Sequence, residues 1–170
     1  MSSPSAPPAL GFITVCEDES QGYLGGYLTL NTSGRPLEFY CTSPVRPNRA
    51  QEVLYGDTLK PYLYGEQIGQ ALLDKAKVKP LLVLTDVEPA LAARSVSAAP
   101  VAWVSGGDAG AGEKLHYFRL ADQRLAVLSQ HSQDEAAIAD IWKQHAQGFD
   151  LAEPFGRIRE AIEEARHSVR

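Results

Sequence analysis

The chain is short of the residues that metal fingers, haem sites and disulfide scaffolds require. Its 170 residues include two cysteines and four histidines. Cys16 and Cys41 form no Cys-x-x-Cys pair, and reduced, mostly buried thiols are expected. His116, His131, His145 and His167 make no His-Glu-x-x-His or other zinc spacing. No apolar run approaches the roughly 18 residues of a membrane span, so no membrane association is expected. A basic excess is also lacking: 16 Lys and Arg against 21 Asp and Glu leave a net charge of −5. Nucleic-acid binding would therefore need a local basic patch. There is no phosphate-binding GxxxxGK[ST] loop, GxSxG elbow or GxGxxG fingerprint, and no HxE with PCxxC for a zinc deaminase.

The start, MSSPSAPPAL, has neither the basic region nor the long apolar stretch of a signal peptide. Residues 1–10 are expected to be a flexible leader on a cytoplasmic protein. A single α/β domain with C-terminal helices is expected over 11–170. A chain of this length buries roughly 70% of its unfolded surface as one domain.

Residues 11–43 read as β structure. FITVC alternates, and YLTL and LEFYC carry the aromatic and aliphatic residues of half-buried strands. Asn31-Thr32-Ser33-Gly34 is a turn signal between them, so an antiparallel hairpin is expected. Gly25-Gly26 marks a bulge or a close backbone approach. Asn48 is placed to cap a helix through NRAQEVLY, which Gly56 interrupts. Asp57 is the expected cap of a second helical stretch to about Lys77, with Leu59, Leu63, Ile68 and Leu72 near one face. PLLVLTD contains a continuously apolar run, as in a strand buried on both faces. A short helix (ALAARSV), a strand (PVAWV), a mobile glycine-rich loop (SGGDAGAG) and a hairpin (LHYFRLA, RLAVLSQ) come next. Two helices end the chain, with Phe155, Ile158 and Ile162 at helical spacing.

Acids punctuate the ends of these runs. Asp18 closes the first and Asp86 the buried fourth. A strand cannot bury an ionised carboxylate without a partner or a metal, which makes both candidate ligands. Alternation puts Phe12, Thr14, Cys16 and Asp18 on one face, and Glu17 on that of Ile13 and Val15. Each acid also has a plain structural use. Asp18 can serve a polar turn, Asp86 can cap the helix near Glu88, and Glu52 and Asp134 can favour helix N-termini.

The order of elements, strand-strand-strand-helix-strand-helix-strand-helix, resembles the ribonuclease H-like superfamily. The resemblance covers roughly residues 11–104, with a looser match at the C-terminal helix. It implies a mixed sheet of order 3-2-1-4-5 with flanking helices. It also implies a carboxylate site: Asp18 in EDES on the first strand, Glu52 in PNRAQE on the first helix, and Asp86 in TD on the fourth strand. Asp134, after His131 in HSQDEAAIAD, matches a fourth carboxylate. Glu66 competes with Glu52 for the helix position.

On that resemblance Asp18, Glu52 and Asp86 would hold Mg²⁺ or Mn²⁺, and His131 would shuttle a proton. The implied activity is metal-dependent hydrolysis of nucleic acid phosphodiesters. The alternative is a non-catalytic domain of the same fold that docks onto a larger protein assembly. Candidate partners are therefore nucleic acid, a second protein or another copy of the chain. Arg46, Arg49 and Lys60 are candidate phosphate contacts, and Tyr55, Tyr62 and Tyr64 would suit base stacking or a protein contact. The denser Lys75, Lys77 and Lys79 run reads as a helix C-terminus.

Overall fold

The computed structural model describes residues 7–105 and 114–168. Most of the expected loop SGGDAGAG lies outside them, as do residues 1–6. Seven strands form one sheet: β1 (Ala9–Asp18), β2 (Gly22–Asn31), β3 (Pro36–Cys41), β4 (Leu82–Thr85), β5 (Val101–Val104), β6 (Leu115–Leu120) and β7 (Gln123–Leu128). Their order is β3-β2-β1-β4-β5-β7-β6. The expected 3-2-1-4-5 arrangement is present and is extended by the last hairpin. β1 pairs in parallel with β4, and β4 with β5, while β2, β3, β7 and β6 complete antiparallel pairs.

β1 starts at Ala9, ahead of the expected boundary, because Ala9 and Leu10 are both fully buried. Between β2 and β3, Asn31 accepts from the backbone of Ser33 and Arg35, and Gly34 takes the positive φ of 83° that the turn needs. The irregularity on β2 falls at Thr29/Leu30 instead of Gly25-Gly26. The paired glycines answer the other expectation, close approach. A Cβ on Gly25 would run into Ile68, and one on Gly26 would lie 2.5 Å from Ile158.

Helix α1 (Arg49–Tyr55) has the expected Asn48 cap, in a reciprocal capping box with Gln51. Asp57 does not cap the second helical stretch. Gly56 turns the chain at φ 53°, and a 3₁₀ turn leads into α2 (Leu59–Pro61) without a side-chain cap. A π-wound stretch, Tyr62–Gly69, joins α2 to α3 (Gln70–Lys75). A 3₁₀ helix, Glu88–Val96, links β4 to β5. After β7 come α4 (Asp134–Ile141) and α5 (Glu153–Ser168).

The sheet separates two cores, as its two-faced apolar strands dictate. On one face Phe12, Leu28, Leu84 and Leu125 meet Ile138, Phe155, Ile158 and Ile162 of α4 and α5. On the other, Ile13, Val15, Tyr27 and Val83 meet Leu63, Ile68, Leu72 and Leu91. Cys16 and Cys41 are free, half-buried thiols against the first core. Burial pushes both thiols up in pKa. No helix among the described residues is long and apolar enough to cross a membrane.

Candidate functional site

β1, β4 and β5 run in parallel, so their carboxyl ends share one edge of the sheet. Asp86 follows β4 at that edge, on the face covered by α5. Ile13 is in register with Thr85, which brings Thr14 beside Asp86. Thr14 is fully buried, and its hydroxyl donates to Asp86 Oδ1 at 2.6 Å. Arg159 reaches down from α5. Its guanidinium donates to Asp86 Oδ2 and also to Thr14 Oγ1, at 3.2 Å. A hydroxyl, a carboxylate and a guanidinium thus form a closed ring.

Asp18 lies on the same face but belongs to a different cluster. Four residues of strand, at about 3.3 Å each, put it roughly 13 Å from Thr14 along β1. Its Oδ1 accepts from the Ser20 hydroxyl at 2.6 Å, the Ser20 amide at 2.7 Å and the Gln21 amide at 3.0 Å. Arg166, two turns beyond Arg159 on α5, donates to Oδ2. These donors, Ser20 foremost, hold the carboxyl well below the usual carboxylate range. Beside this pair a groove of about 610 Å³ opens between β2, β3 and the end of α5, with Leu24, Cys41, Thr42 and Ile162 in its lining.

The other expected site residues lie elsewhere. Glu52 is exposed on α1 and pairs with Arg49 at 3.3 Å. Its charge, after burial and Glu17, helps raise the pKa of Tyr23, whose ring packs against the second core. This puts Glu52 within electrostatic reach of Tyr23, with Arg49 as its ion-pair partner. Glu66 is exposed on the π-wound stretch. β7 is antiparallel to β5, so its end leads to the opposite sheet edge. His131 and Asp134 sit there. Asp134 is buried and accepts from Arg94 Nε at 2.9 Å. Nδ1 of His131 is buried without a hydrogen-bond partner. A proton shuttle at Asp86 is out of reach from that edge.

The expected metal ligands are therefore not brought together. Among the described residues no three His, Cys, Asp or Glu side chains gather as a cation site. Mg²⁺ asks for near-octahedral oxygen ligation, usually with carboxylates. Asp86 hydrogen-bonds to one neutral hydroxyl and one cation, and the thiol whose pKa its charge, after burial, helps raise, Cys16, is a soft ligand, so the donor set does not fit Mg²⁺ or Mn²⁺. Sequence reasoning missed Thr14, Arg159 and Arg166. Two signals bear on them: Thr14 shares the face of Phe12 and Asp18, and the arginines are seven residues apart on one helix.

No protein-family model and no curated protein matches the chain. Solved structures do. Human ENDOV aligns with a TM-score of 0.50 and 11% identity, covering 94% of this chain and 86% of that one. Ciona intestinalis endonuclease V, crystallised with a 24mer DNA containing an inosine followed by a ribo-adenosine, aligns with a TM-score of 0.50 and 10% identity. That alignment covers 93% of this chain and 87% of the other. The fold is that of endonuclease V. At this identity the likeness reaches the fold and stops short of the site residues.

Proposed function

We propose that this chain is a non-catalytic domain of the endonuclease V and ribonuclease H-like architecture, and that it docks onto a larger protein assembly. One observation carries the proposal: the β1 residue facing Asp86 is Thr14, bonded to it directly, and the Arg159 guanidinium donates to both. A second observation supports docking. Ala50, Val53 and Leu54 lie at i, i+3 and i+4 on α1, and all three are exposed, Leu54 at 82%. Gln51, the capping residue, is the half-buried one. A helix with its apolar stripe turned to water suits a groove in a protein partner. Tyr55 and Tyr62 stack beside it with centroids 4.7 Å apart, whereas Tyr64 is buried and unavailable to a base.

The rival reading, metal-dependent cleavage of nucleic acid, is favoured by the shared fold and by the DNA bound to the Ciona protein. One experiment separates the two. Purified protein with Mg²⁺ or Mn²⁺ is incubated with single-stranded, duplex and hybrid substrates. The docking reading expects no cleavage above that of Asp86→Asn, and the same stoichiometric protein partner co-purifying with wild type and Asp86→Asn but lost in Leu54→Glu. Cleavage that disappears in Asp86→Asn defeats it.

A further inference from the structure

The acid at the end of β4 needs a countercharge, since an ionised carboxylate among buried strands is costly when unpaired. Its side chain is 20% exposed, and Thr14 against it is fully buried. One carboxylate and one neutral hydroxyl carry a single negative charge. A divalent ion would leave an excess positive charge there, whereas a guanidinium balances the pair. Arginine also stays protonated at any physiological pH, and its planar fork can donate to two oxygens at once. Arg159 reaches Asp86 and Thr14 together through one nitrogen, Nη2.

The delivery is repeated along the helix. Arg166 lies seven residues on, about 10.5 Å along α5, and pairs with Asp18. Asp18 in turn lies roughly 13 Å beyond Thr14 on β1. Phe155 of α5 meets Phe12, with ring centroids 5.6 Å apart, so helix and strand run in the same direction. One face of α5 therefore supplies a cation to each acid that β1 and β4 present on this side.

From these contacts we infer that Arg159 is the resident cation of the site, a protein-supplied guanidinium held by Asp86 and Thr14 at the sheet edge where the resemblance called for a metal ion. The inference rests on the non-catalytic reading and gives it a physical basis. A guanidinium can hydrogen-bond water but does not coordinate it, so it does not lower a water's pKa as a bound metal ion does.

The test uses the full chain, with thermal unfolding and Mn²⁺ binding by electron paramagnetic resonance as readouts. Wild type is expected to bind no Mn²⁺ saturably, and its Tm should ignore millimolar Mg²⁺, Mn²⁺ or methylguanidinium. Arg159→Ala should lower Tm by roughly 2–6 °C, and methylguanidinium should restore part of that loss. The restoration should vanish in Arg159→Ala/Asp86→Asn. Should the alanine variant not fold, Arg159→Lys and Arg159→Gln replace it, with the lysine variant keeping the higher Tm only while Asp86 is present. Three outcomes overturn the assignment: saturable Mn²⁺ binding by wild type that Asp86→Asn removes, an unchanged Tm in Arg159→Ala, or an equal loss with and without Asp86. If one of these appears without cleavage, only the cation assignment falls. Saturable Mn²⁺ binding together with cleavage defeats both conclusions.

Discussion

The Thr14 hydroxyl donates to the Asp86 carboxylate at 2.6 Å, across two strands that are 72 residues apart in sequence. This contact ties β1 to the end of β4 while pairing the acid there with a neutral side chain. Asp18, the acid that the sequence brings forward on β1, lies further along the same strand face and has its own arginine. The carboxylate on the strand face and the carboxylate at the strand end are therefore each satisfied separately. The edge resembles a polar seam closed by α5 more than a basin for an ion.

Asp134 gives the sharpest stability prediction. It is 6% exposed and paired with Arg94 at 2.9 Å, at the edge opposite Asp86. Removing one partner of a buried pair leaves the other charge uncompensated, typically at a cost of about 3–5 kcal/mol. Asp134→Ala is expected to lose about 3 kcal/mol or slightly more in urea unfolding. Replacing both partners, as in Arg94→Met/Asp134→Leu, should recover most of that loss. A double variant as unstable as the single one would contradict this account.

The strand order was legible because the apolar runs, the Asn31–Gly34 turn and the buried LLVLT run each favour one kind of element. Asn48 was legible for the same reason, since a cap is a local interaction. The site was legible only in part. Asp86 is at its expected strand end, but which β1 residue faces it depends on the parallel register with β4, a long-range property that composition does not carry. Glu52 matched a motif in the linear chain, yet α1 buries none of its residues, and Glu52 pairs with its helix neighbour Arg49 in an exposed position. Asp134 and His131 lie at the other edge because β7 runs antiparallel to β5, a reversal that no local pattern encodes. The arginines of α5 carry no local signal, because a basic residue on a terminal amphipathic helix usually faces solvent.

Asp18 predicts how α5 responds to acid. Its folded pKa is depressed by Ser20, Arg166 and Gln21 below the unfolded value, which is about 3.9. A depressed carboxylate contributes stability above the unfolded pKa and loses it as pH falls toward the folded one. The stability gap between wild type and Asp18→Asn should thus be constant above about pH 5 and shrink below about pH 4. Urea unfolding across that range measures it. A gap that stays unchanged into strong acid would show that the carboxyl titrates normally.

Gly25 and Gly26 link the two cores through a single point on β2. Successive strand residues point to opposite faces, so one glycine admits Ile68 and Leu72, and the other admits Ile158 and Ile162. All four isoleucine and leucine side chains are buried, Leu72 completely, so none has room to retreat. An added methyl must displace a helix or force strained rotamers, at typically 1–3 kcal/mol. For a chain of this size that corresponds to a fall in Tm of roughly 2–12 °C for either Gly25→Ala or Gly26→Ala. The nearest clashing atom is the Cγ2 methyl of Ile68 or of Ile158, so in double-mutant cycles Ile68→Ala should couple favourably to Gly25→Ala but not to Gly26→Ala, and Ile158→Ala should do the reverse. Equal coupling to both would mean that the glycines act through backbone freedom instead of through the helices packed on them.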